Sequence, residues 1–186
     1  MNTSAKTVVG MLAAFVVAGV GLGSSAERAA TTGRAMAASE AVFARLGSLV
    51  GEWEGTQQGV VVTLTYTLTA DGSALMEEMR PASAPVMITM YSVDGDRLLA
   101  THYCSAGNQP QMATAAIASE DTGALEFSLL RVTGMKTPGD WHNTSLVVRL
   151  EDADHLTQRW SYLDHGKTGT NVFRYTRKHL SRRRLP

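Results

Sequence analysis

His102 and Cys104 are the two residues whose types and spacing could most directly do chemistry. They lie two apart in the run Arg97–Cys104, on one face with Leu98 and Ala100, because successive side chains of a strand point to opposite sides. If Leu98 points into a core, the imidazole and the thiol do too. Facing a cavity, such groups could ligate a haem or a metal, or act as acid, base or nucleophile. The structural alternative is equally physical: cysteine is among the most buried residue types, and a single buried histidine usually satisfies a local hydrogen bond. No second ligand pair stands nearby at metal spacing, so no metal centre is expected.

Four further features join this pair. Glu77-Glu78 places one carboxylate on each face of a strand, and Glu77 shares its face with Leu75 and Met79, which makes it the inward acid. A carboxyl in a dry interior needs a raised pKa or a partner, and it could act as a general base or form half of a structural pair. The run Ser105-Ala106-Gly107-Asn108-Gln109-Pro110 should turn the chain after His102, where Asn108 and Gln109 could donate to a polar ligand or simply make the turn. Trp160 and Tyr66 offer apolar bodies with polar handles for a pocket wall, and the core-packing reading is open for both. Met76, Met79, Met87, Met90 and Met112 suit an adaptable wall or ordinary filling. His142, His155, His165 and His179 fall near turns or ends and are expected at the surface, and Asn143-Thr144-Ser145 is a formal glycosylation pattern.

Several classes have nothing to stand on. The sequence contains no Gly-x-Ser-x-Gly elbow, no Gly-rich loop before a helix and no His-Glu-x-x-His, so common hydrolase, nucleotide and zinc-protease chemistries are not indicated. A single cysteine excludes an intramolecular disulfide framework. The 17 basic residues balance the 17 acidic ones, which argues against broad nucleic-acid binding. With 44% apolar and 18% charged residues the 186-residue chain is globular.

The elements that must position these residues follow from periodicity. Ser39 is expected to cap a short helix from Glu40 to about Val50, with Val42, Phe43, Leu46 and Leu49 on one stripe and Gly51 ending it. Residues 27–38 look like a linker. From Trp53 onward the period becomes two, and Val60 to Leu68 alternate as a half-buried strand. Further strands are expected at Ala74–Arg80, Val86–Ser92, Arg97–Cys104, Gln111–Ile117, Leu125–Arg131, Ser145–Leu150, His155–Tyr162 and Asn171–Arg177. Asp71-Gly72, Asp94-Gly95, Asp121-Thr122-Gly123 and His165-Gly166 supply turns between them. Connections this short leave no room for crossover helices. About ten antiparallel strands over residues 39–178 must then close on themselves to hide their edges, and an all-β up-and-down barrel is the expected fold.

Gly51-Glu52-Trp53, on entry to the first strand, resembles the Gly-x-Trp signature of lipocalin-like (calycin) barrels, the group that includes fatty-acid-binding proteins and nitrobindins. The resemblance implies that a basic side chain of the last strand packs over Trp53 and closes the barrel; Arg177 is the candidate, with Arg174 second. The run Thr101 to Pro110 also resembles a bacterial family of exported lipocalin-like proteins of uncharacterised function. From these likenesses and the inward residues, the expected function is binding of a small, largely apolar or amphipathic molecule inside the barrel. The candidate contacts are His102, Cys104, Asn108, Gln109, Glu77, Trp160 and Tyr66. The alternatives are an enzyme using Glu77 and His102 as acid and base, or a structural envelope protein with a filled interior. No cofactor is expected, except that the likeness to nitrobindins raises haem held through His102.

The chain ends carry their own signals. Residues 1–26 combine Lys6, an apolar run and Ser24-Ser25-Ala26 before the charged Glu27-Arg28, the pattern of a signal peptide cleaved near Ala26. The alternative is an uncleaved membrane anchor. A periplasmic or extracellular location is expected. Residues 179–186 form a basic tail with Arg182-Arg183-Arg184, which could touch anionic surfaces weakly or remain a solvated end. The intact mass of the exported protein should lack residues 1–26; a mass that still includes them would overturn the cleavage.

Overall fold

The computed structural model of the protein describes residues 25–119 and 123–179. The segment 1–24 and the tail residues 180–186 lie outside the described residues, and with them most of the export segment and of the basic tail. One helix, α1 (Ser25–Gly47), precedes ten strands. The strands are β1 (Gly51–Gln57), β2 (Val60–Thr69), β3 (Ala74–Pro81), β4 (Met87–Asp94), β5 (Arg97–Tyr103), β6 (Gln109–Ala113), β7 (Leu125–Thr133), β8 (His142–Leu150), β9 (His155–Asp164) and β10 (Lys167–Arg177). Each strand pairs antiparallel with the next, and β1 pairs with β10, giving a closed up-and-down barrel of ten strands.

Alternation decides which residues face inward. On β2, Val62, Leu64 and Tyr66 are buried; on β3, Leu75, Glu77 and Met79; on β5, Leu98, Ala100 and His102; on β9, Leu156, Gln158 and Trp160. A shift of one residue in any register would reverse a whole row, so the apolar pattern fixes the pairing. Two-residue turns with positive φ at both positions join β1 to β2 through Gln58-Gly59 and β9 to β10 through His165-Gly166, matching the twist of the strands they connect. Gly55 is required at the seam, where a Cβ would run into the Arg174 carbonyl and the Tyr175 ring.

The helix differs from expectation at both ends. It begins at Ser25, so residues 27–38, expected to be a linker, are helical; the alanines favour this conformation more than the threonines and Gly33 oppose it. Residues 27–34 are exposed and the buried stripe starts at Ala38. Ser39 is not a cap. It is fully buried inside the helix, with its hydroxyl 2.6 Å from the Gly95 carbonyl and 2.8 Å from that of Met36, which fastens α1 to the β4–β5 turn. The helix stops at Gly47 rather than at Gly51. Val42, Phe43, Leu46 and Leu49 plug this end of the barrel, each burial worth roughly 1.5–3 kcal/mol. No helix of the described residues is long and apolar enough to cross a membrane.

The sixth strand also moves. It runs over Gln109–Ala113 rather than to Ile117, and residues 114–118 are irregular. They hold to the barrel edge through Thr114 N–H to the Leu98 carbonyl and Ile117 N–H to the Asp96 carbonyl.

The seam is locked by Arg177. Its guanidinium lies 4.1 Å from the ring centre of Trp53, which is itself fully buried. The same side chain donates to the carbonyls of Ala153, Val50 and Ser48 at 2.9, 2.9 and 2.8 Å. Trp53 donates its indole N–H to the Leu49 carbonyl at 2.8 Å. First strand, last strand and helix end therefore meet at one cation. Arg177→Met should lower stability by about 2–4 kcal/mol, since charged hydrogen bonds and the ring contact are lost together. Arg177→Lys should recover only part of that, because an ammonium cannot reach three carbonyls in a planar fork. Urea unfolding curves measure both, and a Met variant within 0.5 kcal/mol of wild type would refute the role (~ the noise of surface changes).

Candidate functional site

The barrel has two unlike ends. The helix seals one, where the turns after β2, β4 and β8 gather. At the other, a cavity of about 160 Å³ opens between the Cys104–Asn108 turn, the start of β8 and the upper parts of β9 and β10. Its walls are Met79, Met87, Trp141, Trp160 and Phe173; His102, Cys104, Ser105, Asn143 and Asn171 add polar atoms.

Beneath the cavity lies a buried polar network centred on Glu77. Its Oε2 accepts from the Tyr66 hydroxyl at 2.6 Å, the Tyr91 hydroxyl at 2.9 Å and the Gln158 amide at 2.6 Å. Thr89 reaches its Oε1 at 3.5 Å. Among the described residues no cation pairs with this carboxyl. Burial therefore pushes the Glu77 carboxyl above its ordinary value, while the four donors pull it part of the way back. Burial, and then the neighbouring Glu77 charge, hold the Tyr66 and Tyr91 hydroxyls well above the usual phenol range, so both remain donors.

The network reaches the cavity through two side chains. Thr89 Oγ1 lies 3.0 Å from His102 Nδ1, and Gln158 Oε1 accepts the Trp160 indole N–H at 3.0 Å. The His102 and Trp160 rings pack at 4.7 Å with a tilt of 48°. Burial lowers the His102 pKa to about 4, so the ring is neutral at pH 7. With Nδ1 on Thr89, Nε2 makes no hydrogen bond to a described residue, and the ring lines the cavity. Burial pushes the Cys104 thiol up, which leaves little thiolate to act as a nucleophile.

The expected site residues thus separate into two groups. His102, Cys104 and Trp160 line the cavity together. Tyr66 and Glu77 face inward but lie in the network behind His102 and Trp160, so Glu77 reaches the cavity only through Thr89 and Gln158. An acid and base meeting at one substrate position is not what this geometry provides. Asn108 is buried and donates to the Trp141 carbonyl at 2.6 Å, fixing the loop above the cavity instead of lining it. Gln109 is tied outside, donating to Gly107 and accepting from Thr133.

Four residues of the cavity wall escaped the sequence reading: Trp141, Asn143, Asn171 and Phe173. Trp141 stacks on Tyr162 at 5.4 Å and forms one side of the mouth; Tyr162 lies across Gly169, whose missing Cβ leaves room for its phenol. Asn143 turns inward because the β8–β9 register shifts between Asn143 and Ser145. His142, just before the shift, is buried too, with Nδ1 2.8 Å from the Asp140 carbonyl, and is not a surface residue. The inward turn hides the Asn143 amide, which removes the folded chain as a glycosylation acceptor at this position. Asn171 and Phe173 face inward by ordinary alternation on β10, a signal that was present in the sequence.

A cavity of roughly 150 Å³ takes one benzene molecule. The haem raised by the nitrobindin likeness does not fit this volume, which is that of a single ring and not of a porphyrin. Among the described residues no group of three or more His, Cys, Asp and Glu side chains converges as a metal site.

No protein-family model matches the chain, and no curated protein is similar to it. Among solved structures it is similar to a protein of unknown function from the DUF3598 family of Nostoc punctiforme, with 14% identity, a TM-score of 0.49, and 72% of this chain aligned to 49% of that one. The chain therefore spans about half the length of that protein. It is also similar to pallilysin of Treponema pallidum, with 14% identity, a TM-score of 0.31, and 80% of this chain aligned to 97% of that one.

The Glu77 network carries a pH signature. A carboxyl whose folded pKa is raised above the ordinary 4.5 stabilises the fold fully below that value and loses the contribution as pH rises through the folded pKa. Wild-type stability should therefore fall over that window. Glu77→Gln keeps an acceptor for Tyr66 and Tyr91 and should flatten the fall. Urea midpoints of both proteins from pH 4 to 8 (~ the range spanning the shift) decide it, and parallel curves would count against the assignment.

Proposed function

We propose that this is an exported, lipocalin-like binding protein that holds a small, largely apolar molecule in the cavity at the open end of the barrel. The observation that carries the reading is the cavity itself: five large apolar side chains surround a few polar atoms, one of them an unbonded nitrogen on a buried, neutral histidine. Such sites draw affinity from apolar burial and orientation from few polar groups. His102, Trp160 and Cys104 contact the ligand in this reading. Tyr66, Glu77 and Thr89 hold His102 and Trp160 in place, and Asn108 and Gln109 shape the loop above.

A cluster of buried apolar side chains packs the barrel beneath the cavity, which favours a ligand held at the open end over a long acyl chain threaded through the barrel. Export rests on the residue pattern at 1–26 and would place the barrel in the periplasm or outside the cell. Contact of the basic tail with anionic surfaces is a secondary part of the proposal.

Native mass spectrometry of the protein made without residues 1–26 tests the binding role. A small-molecule adduct should be present, or should form with benzene as a probe, and Trp160→Ala and Phe173→Ala should each weaken it. Benzene should also raise the thermal midpoint, as any ligand of the folded state does. A clean mass with no thermal response to benzene would overturn the reading.

A further inference from the structure

We propose that the cavity selects an uncharged single-ring aromatic molecule bearing one hydroxyl, a simple phenol, with that hydroxyl bonded to His102 Nε2. The inference rests on the binding role above and adds the ligand's class. Size is the first constraint. The cavity of about 160 Å³ matches one six-membered ring with a small substituent.

Charge is the second. The cavity-lining set contains no Lys, Arg, Asp or Glu among the described residues. An ionised carboxylate or amine would lose its hydration there without a counter-charge, a cost that a neutral molecule avoids. His102 offers no charge either, being a neutral ring under ordinary conditions. This excludes short fatty acids and simple amines in one step.

Shape is the third. Trp160, Phe173 and Trp141 present ring edges and faces, and Met79 and Met87 present thioethers that pack well against an aromatic edge. A flat ring uses these walls better than a flexible chain of the same volume.

The polar anchor is the fourth. His102 is buried, its Nδ1 lies on Thr89, and its Nε2 has no partner among the described residues. Thr89 stands between His102 and Glu77, at 3.0 and 3.5 Å, and its one hydroxyl proton can point to either. When it points to Glu77, His102 carries its proton on Nδ1 and Nε2 accepts. When it points to His102, Nε2 carries the proton and donates. A hydroxyl can both donate and accept, so it satisfies Nε2 in either arrangement. A pure acceptor or a pure donor fits only one of them.

The test compares phenol, toluene and benzoate on the wild-type protein by calorimetry. It also follows the His102 Nε2 shift by ¹⁵N NMR. Phenol should bind about threefold to tenfold more tightly than toluene, the worth of one neutral hydrogen bond, and benzoate should bind more weakly than both. Phenol should move the Nε2 resonance while toluene leaves it in place. In His102→Phe the preference for phenol over toluene should vanish, and in Thr89→Val it should shrink. Equal affinities for phenol and toluene, or a phenol complex that leaves Nε2 unmoved, would overturn the phenol assignment and leave apolar binding standing. Binding of none of the three would overturn the binding role with it.

Discussion

A carboxyl group buried in the middle of the barrel, with no cation beside it among the described residues, is the constraint around which the interior is arranged. Glu77 cannot be left bare, so Tyr66, Tyr91 and Gln158 turn their donors to one of its oxygens and Thr89 approaches the other. Those four residues come from three strands, β2, β4 and β9, and with Glu77 on β3 they tie the registers of four strands together. Thr89 and Gln158 then have a second polar side to spend, and they spend it on His102 and Trp160. The two residues that face the cavity are thus set by a group that never touches it. A buried network of this kind stabilises only when all its members are satisfied, which makes it specifying as well as costly to disturb.

The network also separates two environments that a plain barrel would merge. On one side, helix α1 and the Trp53–Arg177 contact make a dry, side-chain-filled end. On the other, the Trp141–Tyr162 stack and the inward Asn143 leave a small opening. The cavity lined by His102 and Trp160 is confined to this second end, above the network. This is why its volume is that of a ring and not that of the long cavities that barrels of similar strand number can enclose.

Much of this was legible in the sequence because alternation is a local code. Leu98, Ala100, His102 and Cys104 share a face by spacing alone, and Glu77 goes inward with Leu75 and Met79 for the same reason. Arg177 over Trp53 was implied by the resemblance to lipocalin-like barrels, and the pairing of β1 with β10 sets the two residues opposite one another. What could not be read is whatever breaks the period. The register shift between Asn143 and Ser145 turns Asn143 into the cavity, and no local signal announces it. Ser39 resembles a cap in sequence, yet the Gly95 carbonyl that claims its hydroxyl is 56 residues away. Asn108 likewise is shaped like a turn residue, and its role depends on a carbonyl 33 residues further on. Long-range partners, not propensity, decided these three.

The order of strands has a consequence for how the chain reaches this state. Every neighbour in the ring is also a neighbour in sequence, except for the one pairing that joins β1 to β10. Eight hairpins can thus form while the chain is still emerging, but the ninth and the closing contact with β1 must both wait for the final strand. Until then β1 and β9 each present an unpaired row of backbone groups, the condition that favours pairing with another copy. Concentrating the whole closure in Arg177 and its strand makes the last residues of the barrel the latch for a polymerisation hazard that the finished ring no longer has.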